Sequence, residues 1–128
     1  MNHEQGLQKA NSELLATGLF AHLGEGEGLY GFVPVQMDGQ LASGERIDFK
    51  SRGVRVRLSI DDGTTTFMFV HTFRGVRYGY AGWLSGERCK DFILKWIAAY
   101  NAGAFPEAQT AEMEDGCIIL RSDERVSE

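Results

Sequence analysis

The chain has 128 residues, 43% of them apolar and 24% charged, with a formal net charge of −5. That length suits one domain around one core, and the composition is that of a soluble globular chain, not a disordered or fibrous one. The acidic balance argues against nucleic acid as the main partner, because phosphate affinity needs a dominant basic surface.

No apolar run approaches the ~18 residues that a membrane span requires. The opening MNHEQGLQKANSE has neither the basic region nor the apolar core of a signal peptide. The expectation is a cytoplasmic protein with no membrane partner. Cys89 and Cys117 stand far apart and outside any Cys-x-x-Cys spacing, which argues against a disulfide framework or a structural zinc site. Charge is unevenly spread. Residues 45–95 hold ten Lys/Arg against six Asp/Glu, a balance of +4, whereas 1–44 and 96–128 stand at −4 and −5. A basic middle between acidic ends is expected to be neutralised within the molecule.

In chain order, residues 3–17 read as a helix. Leu7, Ala10 and Leu14 form its stripe, Leu15 lies beside it, and Gly18 is a C-terminal stop. Gly6 weakens its first turn. Residues 19–23 fit a last helical turn or a short strand. Gly24-Glu25-Gly26-Glu27-Gly28 is a linker and not a phosphate loop, since a strand pattern follows it and its glutamates repel anions. Leu29 to Met37 alternates as a strand, and Pro34, which lacks an amide donor, places it at a sheet edge. Arg46 to Lys50 is a short strand with Ile47 and Phe49 on one side.

Residues 53–82 then read as a three-stranded meander. Val54, Val56, Leu58 and Ile60 alternate with Arg55, Arg57 and Ser59. A turn at Asp62-Gly63 leads into Thr65 to Phe73, and a turn at Arg74-Gly75 leads into a third strand, 76–82. Two-residue turns pair Val56 with Phe69 and Tyr78 with His71, which keeps the apolar set on one face.

Ser85 caps the clearest helix, about 86–101. Cys89, Phe92, Ile93, Trp96, Ile97 and Tyr100 form its apolar stripe, and Gly103 closes it. Residues 104–115 read as a polar connection containing Pro106. Cys117 to Arg121 is a short strand added at a sheet edge, and 122–128 is a frayed tail. The fold class is α+β: an antiparallel sheet of five or six strands in a single domain, with the 86–101 helix on its apolar face and the N-terminal helix nearby.

No catalytic or cofactor signature emerges, and no cofactor is expected. His3, His22 and His71 fall in no metal-binding spacing. The primary expectation is a non-enzymatic protein that binds another protein. Its size, acidity and element order are those of small adaptors, secretion chaperones, immunity proteins and inhibitors, a likeness of class alone. The expected open edges at 29–37 and 116–121 invite strand addition or a homodimer. The alternative is a small-ligand or anion site on an arginine-bearing sheet face, formed by Arg55, Arg57, Thr72 and Arg77. A third reading is an enzyme using His71 with Cys89 or Tyr78, although Cys89 falls on the buried stripe of its helix.

Overall fold

The computed structural model describes residues 2–24, 28–105 and 110–126, without the side chain of Thr110. Pro106 and the centre of the 24–28 linker lie outside the described residues. Helix α1 spans His3–Ala16, followed by strands β1 Phe20–Leu23, β2 Val35–Leu41, β3 Arg46–Arg52, β4 Arg55–Asp61 and β5 Thr66–Arg74. A single 3-10 turn at Tyr80–Trp83 leads into helix α2, Gly86–Ala102, and then β6 Thr110–Glu114 and β7 Cys117–Arg125. The fold is α+β, and its sheet has seven strands rather than five or six, in the order β1-β2-β3-β4-β5-β7-β6. All neighbours are antiparallel except β5 and β7. No helix among the described residues is long and apolar enough to cross a membrane.

Local chemistry sets the helix ends. Asn2 caps α1 reciprocally with Gln5, accepting from the Gln5 amide at 2.8 Å while the Gln5 side chain accepts from the Asn2 amide at 3.1 Å. This capping box satisfies two amides that the first turn leaves unpaired. Leu7, Ala10 and Leu14 are buried as read, but Leu15 is exposed. Ser85 caps α2 by accepting from the Arg88 amide at 3.2 Å, and Gly103 ends it in the left-handed region at φ 66°. The α2 stripe buries Cys89, Phe92, Ile93, Trp96 and Ile97. It lies on the sheet face that carries Phe49, Val56, Leu58, Ile60, Phe69 and Phe73. Phe69 stacks on Trp96 with centroids 5.7 Å apart. Each such side chain withdrawn from water contributes roughly 1.5–3 kcal/mol by transfer bookkeeping.

The meander departs from expectation in two ways. First, β4 and β5 pair Val56 with His71, Leu58 with Phe69 and Ile60 with Phe67, two residues away from the two-residue-turn register. A shift of two preserves which face each side chain takes, so the apolar face survives. The cause is a longer loop. Asp62 Oδ1 accepts from the Thr64 and Thr65 amides, both at 2.8 Å, and Asp61 Oδ1 accepts from Gly63 at 2.8 Å.

Second, 76–82 is not a strand. Gly75 and Gly79 take φ of 81° and 101°, which extended backbone does not permit. The segment instead folds over the β3–β4 turn, where the Gly79 and Ala81 amides both donate to the Gly53 carbonyl. The vacant side of β5 is taken by β7, in parallel, through nine successive pairs from Thr66–Cys117 to Arg74–Arg125. Residues 122–125 are therefore ordered strand and not a frayed tail.

The edges also move. Strand β2 is interior, between β1 and β3, and β7 is interior, between β5 and β6. The strand expected over 29–37 exists only from Val35 onward, inside the sheet, and 117–121 is interior too, so neither stretch is the open edge expected for a homodimer. The actual edges, β1 and β6, span four and five residues, short enough to limit unplanned strand addition.

The two helices approach closely where both carry glycine. A Cβ built on Gly86 would sit 2.4 Å from the Gly6 carbonyl oxygen and 3.0 Å from Leu7 Cα. Gly6, read only as a weak helix former, thus sits under the first turn of α2. Gly86→Ala is expected to destabilise the protein by roughly 1–3 kcal/mol, the usual cost of overpacking, despite the better helix propensity of alanine. Urea denaturation measures this, and an unchanged or higher midpoint would show that the contact yields freely.

Candidate functional site: a basic cleft on the open sheet face

Both strands of the β3–β4 hairpin bury alternate residues, Ile47, Phe49 and Ser51 on β3 and Val56, Leu58 and Ile60 on β4. The remaining positions must face the opposite side of the sheet. There the register sets Lys50 opposite Arg57 and Arg52 opposite Arg55. These are two consecutive like-charge pairs around a two-residue turn at Gly53-Val54, with Gly53 at φ 62°. Among the described residues none of the four cations has a carboxylate within ion-pair distance. Like charges directly opposite on a sheet are destabilising by roughly 0.2–1 kcal/mol per pair.

The four side chains line an open cleft of about 430 Å³ together with Tyr78. Tyr78 is 80% exposed. Its ring lies against the turn, since a Cβ on Gly53 would be 3.1 Å from Tyr78 Cε2. On the other side of Tyr78 a second groove, about 450 Å³, is lined by Arg77, Trp83 and Arg88 among others. Trp83 is 61% exposed and packs on Phe32, itself exposed, with centroids 4.9 Å apart. Tyr78 is thus the aromatic side chain of the basic cleft, and the Trp83–Phe32 pair lies beyond it, in and next to the adjoining groove.

The structure brings Arg55 and Arg57 together and adds Lys50 and Arg52, which the sequence reading missed. Their signal was present, because Arg46, Asp48, Lys50 and Arg52 alternate with Ile47, Phe49 and Ser51. Thr72 is on the same face as the cross-strand partner of Arg55, but it does not line the cleft. Arg77 does not join the cluster. It sits in the turn after β5, in the neighbouring groove, because the strand expected to carry it does not form.

The histidine reading also changes. His71 is buried on the core face of β5, between the rings of Phe73 and Phe92 at 5.1 and 5.0 Å. Its partners are neither Cys89 nor Tyr78. Nδ1 lies 2.8 Å from Ser122 Oγ, and Nε2 lies 2.9 Å from Glu124 Oε1, which Arg88 also reaches at 3.2 Å. Burial pushes the His71 pKa below its ordinary value, with the Glu124 hydrogen bond opposing it. Cys89 is fully buried, and desolvation pushes its thiol up to about 12, which removes it as a nucleophile at neutral pH. Both cysteines are free, and no group of three or more His, Cys, Asp or Glu gathers at metal-binding distance among the described residues.

Comparison with protein-family models, curated proteins and solved structures gives no match.

The lowered His71 pKa has a sign. The unfolded chain takes up a proton near the ordinary value of 6.5, whereas the folded chain resists it. Stability is therefore full above that value and falls as pH drops below it. Urea midpoints measured between about pH 7 and about pH 5.5 should decline for the native chain and decline less for His71→Gln. Equal slopes would show that the imidazole protonates freely in the fold.

Proposed function

We propose that the protein binds an acidic partner, an Asp/Glu-bearing segment of another protein, on the cleft of Lys50, Arg52, Arg55 and Arg57. The observation that carries this reading is the register that sets like charges opposite each other twice across β3 and β4, none of them ion-paired among the described residues. They work against folding, and they leave four cations within reach of one ligand. Three are arginines, whose planar forks suit carboxylates bidentately. The local charge opposes the overall −5 of the chain, so attraction to an acidic segment depends on the cleft itself and weakens with salt.

The exposed Tyr78 ring in the cleft favours a protein partner over a simple anion. Tyr78 offers an aromatic surface among the charges, and aromatic and arginine side chains are enriched at binding hot spots. A small anion would use the cations alone. A second copy of the chain, itself carrying a net charge of −5, is one form of such a partner.

A fluorescent peptide carrying an Asp/Glu run beside an aromatic residue tests the reading by anisotropy. Arg55→Thr and Arg57→Thr should each weaken binding by about tenfold or more, in line with ~1.5–3 kcal/mol for a charged hydrogen bond. The same variants should raise folding stability by roughly 0.2–1 kcal/mol as repulsion is relieved. Tyr78→Ala should weaken the peptide and leave inorganic polyphosphate binding unchanged. Equal affinity for the acidic peptide and its Asn/Gln counterpart would overturn the proposal. Light scattering at low and high salt identifies the second-copy case.

A further inference from the structure

On the helical side of the sheet, away from the basic cleft, α2 changes character along its length. Its first turns project Phe92, Ile93 and Trp96 into the core, whereas its last turns carry Ala98, Ala99 and Ala102. Alanine leaves the space between the helix and β7 unfilled. A cavity of about 310 Å³ lies there, lined by Phe69, Trp96, Ala99, Phe105 and Leu120. This is at the small end of ligand cavities, ~300–1,000 Å³, and it suits a short acyl chain or a single ring. Ser122 lines the same cavity. It is also the residue whose Oγ lies 2.8 Å from His71 Nδ1.

The hydrogen bonds around His71 have a direction. An ionised carboxylate only accepts, so His71 Nε2 donates to Glu124 Oε1 across 2.9 Å. A neutral imidazole then has its lone pair on Nδ1, which accepts the Ser122 hydroxyl proton. Burial keeps the ring neutral. The three groups lie on adjacent parallel strands, where His71 is the register partner of Ser122. Glu124 follows two residues along β7 and so points to the same side. The order is hydroxyl, imidazole, carboxylate, the chain of contacts that nucleophilic hydrolases use, with the two ring nitrogens exchanged.

We propose that Ser122, His71 and Glu124 form an acyl-transfer site that hydrolyses small esters whose acyl group occupies the adjoining apolar cavity. Ser122 Oγ attacks the ester carbonyl carbon while His71 Nδ1 takes the hydroxyl proton. The tetrahedral adduct collapses, the carbon–oxygen bond to the alcohol breaks, and His71 returns the proton to the departing alkoxide. Water then attacks the acyl-serine, giving its proton to His71 Nδ1. The Ser122 oxygen leaves and regains that proton, releasing the acid. Atoms and charges balance with water as the only co-reactant. Ser122 and His71 are the catalytic residues. Glu124 is a positioning residue that holds the ring and stabilises its transient positive charge, and Arg88, bonded to Glu124 at 3.2 Å, fixes the carboxylate in turn.

The full-length chain is treated with a fluorophosphonate probe and, separately, with p-nitrophenyl butyrate. A phenolate leaves with little need for protonation, so the aryl ester reports the attacking serine most directly. Intact and peptide mass spectrometry should find one phosphonate adduct, on Ser122. Nitrophenolate release should fall by about 100-fold or more in Ser122→Ala, the scale of a lost nucleophile–base pair.

Glu124, Arg88, Asp91 and Lys95 all face His71 around its small outer pocket, so the pH profile of labelling reports this set. Glu124 raises the His71 pKa, so Glu124→Gln should slow labelling and move its midpoint to lower pH, which a purely structural role would not do. Adduct formation is read on the native chain and does not depend on any variant folding. No adduct on Ser122 in the folded native protein would overturn the proposal, as would ester hydrolysis unchanged in a folded Ser122→Ala.

Discussion

A β-strand turns alternate side chains to opposite faces, and in this protein the main hydrophobic core lies on one face of the sheet, with Val70 buried on the other. That constraint decides the rest. Once Phe49, Val56, Leu58, Ile60 and Phe69 turn inward beneath α2, their neighbours Lys50, Arg52, Arg55 and Arg57 have no choice but to turn outward together. The core thus produces the basic cleft as its geometric complement. It also fixes His71, an inward position, in an apolar setting where only a polar partner on the next strand can satisfy it.

The two faces therefore treat charge in opposite ways. On the open face, none of the four cations has a carboxylate within ion-pair distance among the described residues. Their mutual repulsion is damped by water but not removed. On the covered face, His71 is held neutral and both ring nitrogens are engaged. Ser122 and Glu124, its partners, come from the terminal part of β7. Loss of that strand end would leave a buried imidazole unsatisfied, which costs more than the hydrogen bonds themselves contribute.

How far the sequence revealed this architecture depends on how local each signal is. The α2 stripe was legible because Cys89, Phe92, Ile93, Trp96 and Ile97 repeat at helical spacing within one segment. The β4 alternation was legible for the same reason, and so was the side of the sheet on which Arg55 and Arg57 lie. The β4–β5 register was not, because a shift of two residues leaves every side chain on its own face. Pairing of β5 with β7 was not either, since it joins residues about fifty positions apart. The polar run Ser122 to Arg125 resembles a tail until His71 and Arg88 stand opposite it. Arg77 was misplaced for a backbone reason, the positive φ of Gly75 and Gly79.

The central claim is that Arg52 and Arg55 repel each other across the hairpin. A double-mutant cycle on folding stability, using Arg52→Thr, Arg55→Thr and the pair, isolates that repulsion from strand propensity, which cancels in the cycle. The account predicts that the two single gains do not add, because the first replacement already removes the shared repulsion, and that the coupling shrinks in high salt. Strict additivity at low salt would contradict it.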